Sequence, residues 1–152
     1  MTEIAVTGAA GRMGREVLAA AADREEIEVA FAVNRSPVAE PISGVAVDSS
    51  DDFADLLADH EPAVVVDFTG PDSAIEYANA CAEAGVAFVT GTTGFDGEQP
   101  AALHAASEST AVLKASNFSR GVAALRLAVQ EATAALPDAD IELTETHHNA
   151  KR

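Results

Sequence analysis

The sequence predicts an α/β fold, a doubly wound parallel sheet with helices on both faces. Three observations carry that prediction. Short apolar runs alternate with helix-forming segments along nearly the whole chain. The connections between them are short, so successive strands lie side by side through crossover helices. A glycine-spaced turn, Gly8-Ala9-Ala10-Gly11-Arg12-Met13-Gly14, separates the first apolar run from the first helical segment. Glycines at a strand-to-helix turn are the mark of a Rossmann-type βαβ unit.

Each element has its own signal. Ile4 and Val6 frame a short strand at 4–6, and the Ala- and Leu-rich stretch 11–22 reads as helix. Residues 27–33 are β-branched and aromatic, a strand. Pro37 and Pro41 mark a loop before a brief strand at 45–47. A short helix follows at 51–58, with Ser50 as its cap. Residues 63–68 are apolar except for Asp67, as suits a strand buried on both faces. Pro71 opens a helix at 72–84 and Gly85 closes it. A strand at 86–90, a helix at 100–109 and a strand at 111–115 complete the parallel sheet. Ser119 caps a long helix, 119–136, that Pro137 stops. Residues 140–146 alternate Ile141 and Leu143 with polar neighbours, the period of a half-exposed strand. That last strand differs from the others: it pairs with a partner chain, adds to the edge of the parallel sheet, or begins a further part of a longer protein. The division expected is a dinucleotide-binding domain at 1–118 with the remainder at 119–152.

Composition excludes several classes. Twenty-five acidic against nine basic residues give a net charge of −16, the wrong sign for non-specific nucleic-acid binding. The one cysteine, Cys81, cannot form an intramolecular disulfide. No apolar run approaches the ~20 residues of a membrane span. A first strand from Glu3 leaves no room for a cleavable signal, so a cytoplasmic protein is expected. The acidity itself reads either as a solvated surface or as halophilic adaptation to a cytoplasm of molar salt, where self-repulsion is screened within about 3 Å. We adopt the second.

The glycine turn sets up a phosphate site. Glycine lets backbone N–H groups approach a pyrophosphate, and the following helix offers its positive end. An acid that binds the ribose diol is expected about 20 residues on. That position holds Asn34, followed by Arg35. With no carboxylate to repel a 2′-phosphate and Arg35 to bind one, NADPH is expected to be preferred and NADH tolerated. Arg12 adds a second cation in the loop.

Three later loops fall at strand ends: Asp67-Phe68-Thr69-Gly70-Pro71, Gly91-Thr92-Thr93-Gly94-Phe95 and Ala115-Ser116-Asn117-Phe118-Ser119. Each joins an aromatic to small hydroxyl or amide groups, as a nicotinamide ring and its carboxamide require. Taken singly, each loop reads equally as turn and capping chemistry. The chain closes on His147, His148 and Lys151. Histidine can donate a proton during a reduction and lysine can hold a carboxylate. A solvated tail is the alternative; a metal site lacks further ligands.

Together these segments resemble the 4-hydroxy-tetrahydrodipicolinate reductase (dihydrodipicolinate reductase) family of the diaminopimelate route to lysine. The matching stretches are 6–14, 67–69, 91–95, 117–119 and 145–148 with Lys151, in the family's order. The resemblance implies an oxidoreductase of two domains, the second binding a small dicarboxylate and building a homotetramer. It implies that Gly8, Ala9, Ala10, Gly11, Arg12 and Met13 hold the pyrophosphate, and that Asn34 and Arg35 face the adenosine ribose. Phe68, Gly91, Thr92, Thr93, Ala115, Ser116, Asn117 and Phe118 would line the nicotinamide. His147 would donate the proton, His148 touch the substrate and Lys151 supply the catalytic cation. The family continues beyond the position of Arg152, so this chain is expected to bind NADPH but to turn over poorly.

Rival enzymes fail on single residues. A short-chain dehydrogenase needs Tyr-x-x-x-Lys, but four residues after Tyr77, the one tyrosine, stands Cys81. A semialdehyde dehydrogenase needs a nucleophilic cysteine in a strand-end loop, and Cys81 falls in a helical segment. The remaining alternative is a nucleotide-binding module without turnover.

Overall fold

The computed structural model describes residues 1–142 and 144. The chain divides into two compact units, Met1–Ser116 and Asn117–Arg152.

The first unit is a six-stranded, wholly parallel sheet. Its strands are β1 (Thr2–Thr7), β2 (Ile27–Asn34), β3 (Asp48–Ser49), β4 (Val64–Asp67), β5 (Ala87–Thr90) and β6 (Val112–Lys114). Their order is β3-β2-β1-β4-β5-β6, so the chain runs outward from β1, returns, and runs outward again from β4. The reversal lies between β1 and β4, the position where doubly wound sheets open a crevice. Register aligns the strand ends: Thr7 stands opposite Val33 and Asp67, and Asp67 opposite Thr90.

Alternation along the strands feeds two cores. Ala5, Phe31, Val33, Val65 and Phe88 face helices α2 (Phe53–His60), α3 (Pro71–Ala84) and α4 (Gln99–Ala106). Ile4, Val6 and Ala32 face the other way, onto Leu18 and Ala21 of α1 (Arg12–Ala22) and onto Ile42. Residues of both orientations are buried, which is why these strands read as unbroken apolar runs. A register shift between Ile4 and Ala5 keeps Ala5 opposite Phe31, its partner in the same core.

Caps follow the local chemistry. Pro71 takes the first helical position of α3, where its missing N–H costs nothing, and Gly85 ends the helix at φ 72°. Cys81 is buried in α3, and burial pushes its thiol up to about 12. It is a small core residue.

Two local expectations are corrected. The strand expected at 45–47 is β3 at Asp48–Ser49. Ile42 and Val45 instead exchange both backbone hydrogen bonds at 2.9 Å across Ser43 and Gly44, whose φ values are 50° and 83°. That two-residue turn consumes the apolar run, and Ile42 joins the α1-side core. The cap of the next segment is Ser49, not Ser50. Its hydroxyl accepts from Asp51 N at 3.2 Å and starts a single 3-10 turn before α2.

In the second unit, α5 (Arg120–Ala135) begins where the sequence placed it. The Ser119 hydroxyl accepts from Val122 N, and Leu136 and Pro137 follow the last turn. Residues 140–142 and 144 adopt no regular structure, so the described part of the expected 140–146 strand is not strand. Leu143 and residues 145–146 of that strand lie outside the described residues. Among the described residues no helix is long and apolar enough to cross a membrane.

Candidate nucleotide-binding site

The site grows from the turn between β1 and α1. Gly8 has φ +71°, and a Cβ there would stand 2.8 Å from the Phe68 carbonyl oxygen and 2.9 Å from Thr69 Cγ2. Glycine is therefore required on two counts, conformation and space. Gly14 lets the first turn of α1 press against the loop, for a Cβ there would lie 2.8 Å from Ala9 Cα. Gly11, the N-cap of α1, is extended, and among the described residues no side chain caps the helix. Among the described residues the first-turn N–H groups have no side-chain partner, and they stand at the positive end of the helix dipole.

The rest of the loop is pinned from within. Ala9 is fully buried and its N–H donates to Val33 O at 3.2 Å. The Ala10 N–H donates to Asn34 Oδ1 at 3.3 Å, and Asn34 Nδ2 donates to Ser36 O at 2.9 Å. Asn34 thus ties the end of β2 to the glycine loop.

Two clefts flank the loop. One, of about 320 Å³, is lined by Gly8, Gly11, Asn34, Arg35, Phe68 and, unforeseen in the sequence, Ser36, Ser73 and Tyr77. Arg35 Nη2 donates to Ser73 Oγ at 2.7 Å across this cleft, holding a guanidinium beside it. Burial pushes the Tyr77 phenol up, so it stays neutral well above neutral pH. The second cleft, of about 310 Å³, is lined by Arg12, Met13, Phe68, Thr69, Gly91, Thr92 and Thr93 among others. Phe68 is shared by both. Gly91 exists for that ring: a Cβ would stand 2.6 Å from Phe68 Cδ1.

The remaining candidates are distributed. Ala115 lies just past β6, its N–H on Thr90 O at 3.1 Å, with Ser116 next to it. Asn117 and Phe118 open the second unit, and Asn117 Oδ1 accepts from Ser119 N. His147, His148 and Lys151 lie outside the described residues. The sequence treated Asp67 as one member of a loop. It is the fully buried centre of a hydroxyl cluster at the strand ends.

A model of the family described as "Dihydrodipicolinate reductase, N-terminus" matches residues 2–118. The chain belongs to the dihydrodipicolinate reductase family. It is 48% identical over 149 residues to the 4-hydroxy-tetrahydrodipicolinate reductase of Natronomonas pharaonis, covering 98% of this chain and 58% of that protein. It is 44% identical over 151 residues to the enzyme of the same name from Haloarcula marismortui, covering 99% and 59%. The chain thus spans under two thirds of the length of these reductases. Among solved structures, the dipicolinate-bound dihydrodipicolinate reductase from Paenisporosarcina sp. TG-14 superposes with a TM-score of 0.76 at 25% identity, over 91% of this chain and 56% of that one. The Rex-family repressor RSP bound to beta-NADH shares the fold, with a TM-score of 0.64 at 15% identity over 90% and 64%.

Proposed function

We propose that this chain supplies the pyridine-nucleotide site of a 4-hydroxy-tetrahydrodipicolinate reductase, with NADPH preferred over NADH. The observation that carries the reading is the uncapped N-terminus of α1 behind a turn where a Cβ at Gly8 or Gly14 has no room. A dinucleotide fits the residues present. Its diphosphate would lie on the first turn of α1, with Gly8, Gly11 and Arg12 around it. Its adenosine half would take the Arg35 cleft and its nicotinamide half the cleft of Met13, Phe68, Gly91, Thr92 and Thr93.

When bound, a reduced nicotinamide supplies the hydride for the unsaturated ring of a small dicarboxylate. The chain's own residues do the remainder. Arg35, braced by Ser73, offers fixed donors to a 2′-phosphate, and no carboxylate follows β2 to repel one. Phe68 gives the ring an apolar wall; Ala115, Ser116, Asn117 and Phe118 are proposed as further coenzyme contacts. His147 would hold the proton given to the substrate carbon, His148 would touch the substrate, and Lys151 would hold a substrate carboxylate. The dicarboxylate and the homotetramer of the longer reductases belong to the same proposal, as does a boundary near residue 118 between the nucleotide and substrate domains. Turnover by the 152-residue chain alone is expected to be poor, because the related reductases extend well beyond the matched length.

The test is a fluorescence titration of the chain with NADPH and NADH. Saturable binding, tighter for NADPH, is expected. A flat titration with both overturns the reading. Brisk reduction of substrate by the 152-residue chain alone overturns the part that assigns turnover to the longer reductases.

A further inference from the structure

We propose that Asp67 is a positioning residue, one buried charge that fixes the two loops of the nicotinamide-side cleft without touching the coenzyme. The inference rests on the pyridine-nucleotide reading above and extends it to a residue behind the site.

Asp67 ends β4 with no exposed surface, in register between Thr7 of β1 and Thr90 of β5. Four hydroxyls surround its carboxylate. Thr7 and Thr69 reach Oδ1 at 2.8 and 2.6 Å; Thr90 and Thr92 reach Oδ2 at 2.6 and 2.8 Å. A carboxylate only accepts, and a buried one must have its lone pairs filled.

Two of these hydroxyls also receive a backbone N–H. Thr92 N donates to Thr90 Oγ1 at 3.0 Å, and Thr69 N donates to Thr92 Oγ1 at 3.1 Å. A hydroxyl that accepts there must spend its one proton elsewhere, and Asp67 is where it goes. The carboxylate thereby sets the direction of both chains of hydrogen bonds. The loop after β4 and the loop after β5 are locked to each other through one group, although Thr69 and Thr92 are 23 residues apart. Both loops line the cleft assigned to the nicotinamide. Thr7 differs. It fills Oδ1 from β1, and among the described residues no loop N–H is relayed through it.

That asymmetry gives the test. Thr90 and Thr7 are both fully buried, so neither can touch a ligand. Each Thr→Val change removes one hydroxyl at nearly constant shape, and both variants are expected to melt a few degrees below the parent. Thr90→Val is expected to weaken NADPH binding roughly tenfold, the order of one lost hydrogen bond. Thr7→Val should stay within about twofold on the same scale, and Thr90→Ser should restore the parent affinity. The fragment 2′-phospho-ADP-ribose, which lacks the nicotinamide, should bind all of them alike. Asp67→Ala, which removes both acceptor oxygens, should behave as Thr90→Val does and serves if that variant does not fold. Parent-like NADPH affinity in both Thr90→Val and Asp67→Ala overturns the role of Asp67. So does equal weakening by Thr7→Val, or loss of the fragment in proportion, since either marks mere destabilisation. If the parent chain binds neither NADPH nor the fragment, the nucleotide reading itself fails and this inference falls with it.

Discussion

Replacing Gly14 by alanine tests the glycine turn at its tightest point. The new Cβ would stand 2.8 Å from Ala9 Cα and 2.9 Å from the Gly8 carbonyl carbon, and closer still to the Gly8 oxygen. Comfortable carbon contacts begin near ~3.5 Å, so the loop or the helix must yield by more than about half an ångström. Overpacking of this kind costs about 1–3 kcal/mol. The helix recovers about 1 kcal/mol, because alanine is the better helix former. The net loss is about 0–2 kcal/mol, which lowers the melting temperature by about 0–8 °C in a chain of this size. Binding should suffer more than folding, since a displacement approaching ~1 Å in a positioning loop carries effects of up to about a hundredfold. A dissociation constant for NADPH at least about tenfold weaker is expected, read by fluorescence beside a calorimetric melt. Gly121→Ala is the control. It makes the same change in α5, where the nearest atom to a Cβ is 3.6 Å away, and should leave binding untouched. Parent-like affinity in Gly14→Ala would refute the reasoning from close approach.

Other outcomes follow from single residues. Arg35→Ala should erase the preference for NADPH, weakening it about tenfold to a hundredfold, the range of a charge-assisted hydrogen bond, while NADH changes little; an unchanged ratio of the two constants counts against Arg35 as the phosphate contact. The Cys81 thiol is raised from 9.0 to about 12 in the fold, so the folded state holds that proton more tightly than the unfolded one. Its contribution is complete below pH 9 and fades as pH climbs towards 12, so the melting temperature should drop across that window, less steeply in Cys81→Ala. Iodoacetamide at pH 8 should label Cys81 only after denaturation. A net charge of −16, with Arg24–Glu26 the ion pair found among the described residues, predicts that molar salt raises the melting temperature. A flat salt response disposes of the halophilic reading.

Much of the fold was legible because its determinants are local. Pro71 and Gly85 bracket α3, Ser119 caps α5, and the glycine turn announces the βαβ unit. The strand at 45–47 was misplaced because apolarity records burial and not pairing. Ile42, Val45 and Val47 serve the core through a turn, while β3 itself is the polar pair Asp48–Ser49. The site was legible where it is contiguous, at residues 8–14, and obscure where it is assembled. Ser73 meets Arg35 across 38 residues, and the hydroxyls around Asp67 come from two strands and two loops. A threonine at the end of a strand looks like β-propensity alone until the register sets it beside a carboxylate. The pattern could have raised a flag in one respect: Asp67 is the single charge in an otherwise apolar run, and a buried charge requires partners.

The junction of β1 with β4 has a thermodynamic corollary. β1, β2 and β3 form one flank of the sheet, β4, β5 and β6 the other, and the flanks zip together along this single pairing. The Arg35 cleft straddles that zip, taking Gly8 and Gly11 from one side and Phe68 and Thr69 from the other. A molecule seated there would recognise only the zipped state. At a hundredfold excess over its dissociation constant it adds about 2.7 kcal/mol to the resistance of the chain against coming apart. Such occupancy would shield the central amides from hydrogen exchange and the backbone from proteases.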